Sequence, residues 1–117
     1  MAIPSGSGTE VLKRAYVNNL SSTDTAIITG VANHIYTILS VSFSEFNNAD
    51  ELIKMYVDYD AGGTDIYLFT HQTLNAYETF VWNDKFVMSG TDKLWVGITG
   101  ATALIDVYVS YIDQDWT

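Results

Sequence analysis

The chain contains no cysteine. That excludes a disulfide framework, a thiolate nucleophile, an iron–sulfur cluster and a Cys-based zinc site. It leaves the redox compartment open, because a cysteine-free chain suits either. Basic residues are scarce as well. Five Lys and Arg stand against fourteen Asp and Glu, for a formal net charge of −9. Binding to phosphate backbones needs clustered cations, so no nucleic-acid partner is expected. No apolar run reaches bilayer-spanning length and the opening MAIPSGSGTEVLKR has no apolar h-region, so no membrane partner is expected either. Proline occurs once, at Pro4, and histidine twice, at His34 and His71, without an HxH or HExxH spacing. Each histidine reads as an ordinary sheet residue, and no metal or cofactor is expected. What the chain does have is apolar bulk: 48% hydrophobic and 14% aromatic residues over 117 positions, too much for disorder and enough for one core. A soluble, acidic single domain is the expectation.

The character of the chain changes near residue 24. Residues 1–24 hold Pro4, the run Ser5-Gly6-Ser7-Gly8 and the stretch VLKRAYVNNL, which has no sustained helical period. Glu10 and Asp24 cancel Lys13 and Arg14 there, so the whole −9 belongs to residues 25–117. Residues 1–24 therefore read as an extended arm that orders only against something else, and residues 25–117 as the body. In the body, apolar alternation marks strands over 25–31, 34–43, 52–59, 66–69, 79–82, 86–88, 94–98 and 104–112. Turn signals separate them, among them Asp60-Ala61-Gly62-Gly63 and Ser89-Gly90-Thr91-Asp92. The expected fold is all-β: an antiparallel β-sandwich or jelly roll of about eight strands behind an N-terminal arm. Simple alternation makes several strands apolar on both faces, with Tyr36, Tyr67, Phe69, Trp95 and Tyr108 opposite aliphatic neighbours. One face of a lone sandwich sheet is normally polar, so these five are the candidate self-association residues.

Candidate chemistry is sparse. Asp58-Tyr59-Asp60-Ala61-Gly62-Gly63-Thr64-Asp65 opens like a calcium loop, then fails with Gly62 at its fifth place and Phe69 at its twelfth. It reads as an acidic turn. Asp50, Asp60, Asp84 and Asp92 fall in predicted loops, where turns favour them. Asp106, inside a strand, is expected to face solvent or pair with Lys93. The sequon Asn19-Leu20-Ser21 reads as chance. No GxSxG elbow, phosphate loop or dinucleotide fingerprint occurs, and no catalytic residue is assigned.

Two end segments and two internal ones carry a resemblance. Pro4-Ser5-Gly6-Ser7-Gly8-Thr9-Glu10-Val11-Leu12-Lys13-Arg14 and Ser110-Tyr111-Ile112-Asp113-Gln114-Asp115-Trp116-Thr117 enclose Asn33-His34-Ile35-Tyr36-Thr37-Ile38-Leu39-Ser40 and Thr91-Asp92-Lys93-Leu94. In that order they resemble short virion structural proteins of tailed bacteriophages. The resemblance implies a non-enzymatic capsid decoration (cement) protein on the outer surface of the virion, commonly trimeric, with the major capsid protein lattice as partner. The arm would then supply the contacts, through Ile3, Val11, Leu12, Tyr16 and Val17 as apolar anchors and Lys13 and Arg14 toward acidic groups. The alternative is a head-fibre, neck or tail module binding host-surface carbohydrate. Tyr67, Tyr77, Trp82 and Trp95 would be its stacking platform, with Asn75 or Asp84 as hydrogen-bonding groups. An enzyme, such as a small jelly-roll glycosidase or isomerase, is the third and least supported class.

Overall fold

A computed structural model of the chain describes residues 9–100 and 103–116. Among them are nine strands and no helix: β1 (Thr9–Val17), β2 (Thr25–Thr29), β3 (His34–Glu45), β4 (Glu51–Tyr59), β5 (Thr64–Leu74), β6 (Thr79–Trp82), β7 (Phe86–Ser89), β8 (Lys93–Ile98) and β9 (Ile105–Asp115). All pairings are antiparallel. Sheet A has the order β1-β9-β3-β6, with β7 also on β3, and sheet B the order β2-β8-β4-β5. β6 pairs residues 41–44 of β3 and β7 pairs residues 35–38, so the two fill one strand position in two pieces. Eight positions in two four-strand sheets, with the chain crossing between sheets at most connections, make the jelly-roll form of the expected sandwich. The Asp60–Gly63 turn closes β4 onto β5 as its composition predicts.

The inner faces meet in one core. Val41, Phe43, Ile53, Met55, Leu74, Leu94, Val96, Ile105 and Val109 are fully buried in it. Alternation alone misplaces part of it. In β3 it groups Tyr36 and Ile38 with Ser40 and Ser42, on the side away from Val41 and Phe43. The β3–β9 ladder instead slips by one residue between Ile38 and Ser40. This bulge reverses the phase, so Tyr36 and Ile38 join Val41 and Phe43 inside, and Ile35 and Thr37 turn outward. Two further slips lie in the β4–β5 ladder, where His71 has a left-handed backbone, φ 56°. They bring Phe69 opposite inward-facing Met55 while Tyr67 stays opposite outward-facing Tyr56.

Buried carboxylates fasten the connections. Glu45 accepts backbone N–H groups of Asn47, Ala49, Tyr77 and Leu104, gathering three connections at one end of the sandwich. Burial works against its charge, yet the four donors outweigh burial and hold its carboxyl below the usual range. Glu51 accepts from Leu52 N, Thr99 Oγ1 and Gly100 N. Asp92, in the β7–β8 turn as its sequence context predicts, is buried and accepts from Asp60 N and Ser89 N, joining the β4–β5 hairpin to that turn. The backbone there is so close that a Cβ on Gly30 would collide with Gly90 O and Asp92 O.

The phase reversal is testable on neighbouring residues. Phe43→Ala removes a fully buried ring and is expected to cost about 3–5 kcal/mol in urea unfolding. Ser42→Ala, one residue away on the outer face, is expected to stay within about 0.5 kcal/mol. Ile38→Ser should behave like the first substitution and Thr37→Ser like the second; the reverse would place the bulge elsewhere.

Candidate interaction surfaces

Thr9–Val17 of the expected arm form the edge strand of sheet A, in nine consecutive register pairs with β9 and no slip. Three features hold this strand. Val17 and Ala15 pack against the core. Leu20, just beyond, is buried and donates its N–H to Ile105 O. Lys13 Nζ lies 2.8 Å from Asp113 Oδ2. Lys13, expected to reach an acidic partner outside the chain, thus finds one inside it. Asp113 also takes His34 Nδ1 at 2.7 Å, and His34 Nε2 lies 3.5 Å from Asp115 Oδ1. Tyr36 stacks on His34 and its hydroxyl accepts Val31 N–H. Burial resists the charge on Asp113, but the hydrogen bonds from Lys13 and His34 prevail and set its carboxyl below the ordinary range. The same bond to Asp113 raises Lys13.

The outer face of sheet B covers itself in part, with Tyr67 still 49% exposed. Tyr56 is buried although it points outward, because Tyr67 and Trp95 pack on either side of it at 4.8 and 6.3 Å between ring centroids. Its hydroxyl donates to Asp24 Oδ2 at 2.6 Å, and Lys54 lies 3.2 Å from Asp24 Oδ1. Burial, then Asp24, push the Tyr56 hydroxyl well above the tyrosine range. A Cβ on Gly97 would collide with Asp24, so the small residue makes room for this cluster. Lys93 sits over Trp95 at 5.8 Å, which takes it away from the pairing considered with Asp106.

The outer face of sheet A is different. Leu12, Tyr16, Val81, Val87 and Tyr108 are exposed on it, at 72%, 71%, 52%, 63% and 45%. Ile112 lies among them, half-buried. Short side chains, Ser40, Ser42, Ser44 and Ser110, occupy the outward positions between. Tyr16 and Tyr108 are register partners that line a cleft of about 430 Å³ with Asn18 and Asp106. Asp106 Oδ1 accepts Asn18 Nδ2 at 2.8 Å and Asn19 N at 3.0 Å, so its partners lie in the β1–β2 connection.

The expected contact residues are therefore dispersed. Of the arm set, Ile3 lies outside the described residues, Lys13 and Val17 are engaged within the chain, and Val11, Leu12, Arg14 and Tyr16 are exposed. Of the self-association set, Tyr36 is a core residue, because the β3 bulge turns it inward. Phe69 also faces inward, against Phe43, Phe80 and Trp82. Tyr67 and Trp95 pair with Tyr56 on sheet B, and Tyr108 alone lies on the open face of sheet A. The four-residue sugar platform does not assemble: Trp82 sits on the inner side of sheet A with its indole N–H bonded to Asp84 O, and Tyr77 is in the β5–β6 turn. The Tyr16–Tyr108 pair was hidden because its members are ninety-two positions apart and only register joins them. Among the described residues no group of three His, Asp or Glu is placed to hold a metal ion.

No protein-family model matches the chain, and no curated protein matches it. Solved structures do share its fold. Pili from Bacillus endospore appendages, described as a disulfide-linked family, superpose with a TM-score of 0.58 at 15% identity, over 100% of this chain and 97% of that one. The acid-stable capsid structure of Helicobacter pylori bacteriophage KHP30 gives 0.57 at 11% identity, over 94% and 90%. The likeness at these identities is one of fold.

The Asp113 clamp makes a pH prediction. A carboxyl depressed in the folded state stabilises fully above its unfolded value, and that stability is lost as pH falls through the folded value. The urea midpoint should therefore drop below about pH 4, with Asp113→Asn and Glu45→Gln each flattening part of the drop. Lys13→Met should cost about 1–2 kcal/mol at neutral pH, since Lys13 is half exposed. That cost should shrink in acid, where Asp113 is protonated. A pH-independent cost would show that the Lys13 stem, not its charge, holds β1.

Proposed function

We propose that this chain is a non-enzymatic structural protein of a tailed-phage particle, a capsid decoration protein that joins the outer surface of the shell as a homo-oligomer. The observation that carries the reading is the β1 edge. β2, β6 and β7 are short edge strands, and the edge strand β5 is bulged twice. β1 alone among these edges is long and unslipped, with nine residues in register and only β9 as a ladder partner among the described residues. Natural sandwiches blunt such edges, because a straight unpaired strand templates pairing with another chain. An assembly protein uses that property. The resemblance of both chain ends to phage virion proteins supports the same reading, as does the fold shared with a phage capsid structure and a pilus. Lys13 and Val17 serve the chain itself, and Leu12, Arg14 and Tyr16 belong to the outer face of sheet A. Of the expected anchors, Val11 at the β1 edge then remains for the lattice, together with Ile3, which lies outside the described residues.

A second reading is favoured by one observation, the Tyr16–Tyr108 cleft with Asn18 and Asp106 on its wall. Two tyrosine rings beside an amide and a carboxylate suit a sugar ring, which stacks on one and hydrogen-bonds the other.

Co-sedimentation with expanded heads of the phage that encodes the chain separates these. None of the contacts described above involves residues 1–8, and the truncated chain is compared once its dichroism matches that of the full chain. That deletion combined with Val11→Asp is expected to reduce head binding at least about tenfold. Binding equal to that of the full chain would overturn the decoration reading. Glycan-array binding abolished by Tyr108→Ala would favour the second.

A further inference from the structure

Among the described residues nothing covers the outer face of sheet A. Its outward strand positions carry Glu10, Arg14 and Asp106 as their only formal charges. Two acids against one base leave it nearly neutral in a chain of net charge −9. Copies of so acidic a chain repel each other across most of their surface. This face combines little net charge with exposed Leu12, Tyr16, Val81, Val87 and Tyr108.

We infer that a second copy of this chain packs on this face, forming a two-fold pair. Self-complementarity is the first argument. Tyr16 and Tyr108 form one row across β1 and β9. Arg14 stands two residues to one side of that row and Asp106 two residues to the other. A two-fold axis along the row lays Arg14 of each copy over the hydrogen-bonded Asn18–Asp106 pair of the other. Arg14 has no acidic partner in its own chain among the described residues. The row itself is the second argument. It runs through Tyr16, Tyr108, Ser42 and Val81 across β1, β9, β3 and β6. On this axis three exposed apolar side chains of each copy meet their own counterparts, and the serine floor beside them lets the two sheets approach closely.

The pair supplies the self-association half of the proposed function. It is tested on the isolated full-length chain without capsids, so either reading can fail alone. Sedimentation velocity at micromolar concentration is expected to give twice the chain mass. Val81→Glu should give a monomer with unchanged dichroism. Arg14→Asp should weaken pairing about tenfold or more, and Arg14→Asp with Asp106→Arg should recover most of the loss. A single-chain mass, a three-chain mass as the phage resemblance implies, or undisturbed pairing of folded Val81→Glu would each overturn the inference. So would a glycan-binding monomer.

Discussion

A β-strand points its side chains alternately to two faces, and one inserted residue exchanges the faces for everything beyond it. The arrangement of this molecule depends on such an insertion in β3, the longest strand, which pairs with β9 along its length and with β6 and β7 on its other side. On one side of the slip, Val41 and Phe43 face the core; on the other, Tyr36 and Ile38 do. Without it the chain would bury Ile35 and Thr37 and expose a tyrosine and an isoleucine. With it, Tyr36 reaches His34 and Val31, and Asp113 comes inward opposite Tyr36 to receive Lys13. The edge strand is then fastened by a charge pair whose position the slip decides.

The four buried carboxylates follow a shared logic. A small sandwich has many connections and no disulfides to close them. Buried carboxylates can do that work only where donors converge to offset desolvation. Glu45 meets four backbone N–H groups, and Asp113 meets a lysine and a histidine. Acidic composition thus has two uses here: exposed acids set the net charge, and a few buried ones tie the loops.

Much of the architecture was legible in the sequence. Strand positions followed from apolar alternation, and the β4–β5 turn from Asp60 through Gly63. What was not legible depends on partners distant in the chain. Bulges leave no local signature beyond an odd apolar count, so Tyr36 and Phe69 were assigned to the wrong face. The stretch VLKRAYVNNL lacks strict alternation because Lys13 turns inward to Asp113, one hundred positions away. The candidate site suffered most. Tyr16 belonged to a presumed arm and Tyr108 to a presumed body, and only the β1–β9 register makes them neighbours.

Two kinds of incompleteness meet on sheet A, and they differ in physics. The β1 edge offers backbone hydrogen bonds, which are indifferent to side-chain identity and favour any extended partner. The outer face offers apolar area and one charge of each sign near its centre, which favour a partner of matching shape and charge. Sheet B offers less of the second kind, because Tyr56, Trp95 and the Asp24–Lys54 pair pack together beneath a half-exposed Tyr67. The asymmetry between sheets therefore comes from which sheet spends its aromatics internally. Sheet B spends them on its own outer face. Sheet A leaves a cleft beside Tyr16 and Tyr108. A lone chain would gain stability by closing that face; under the inferred pairing, leaving it open is the cost of the contact made with the second copy.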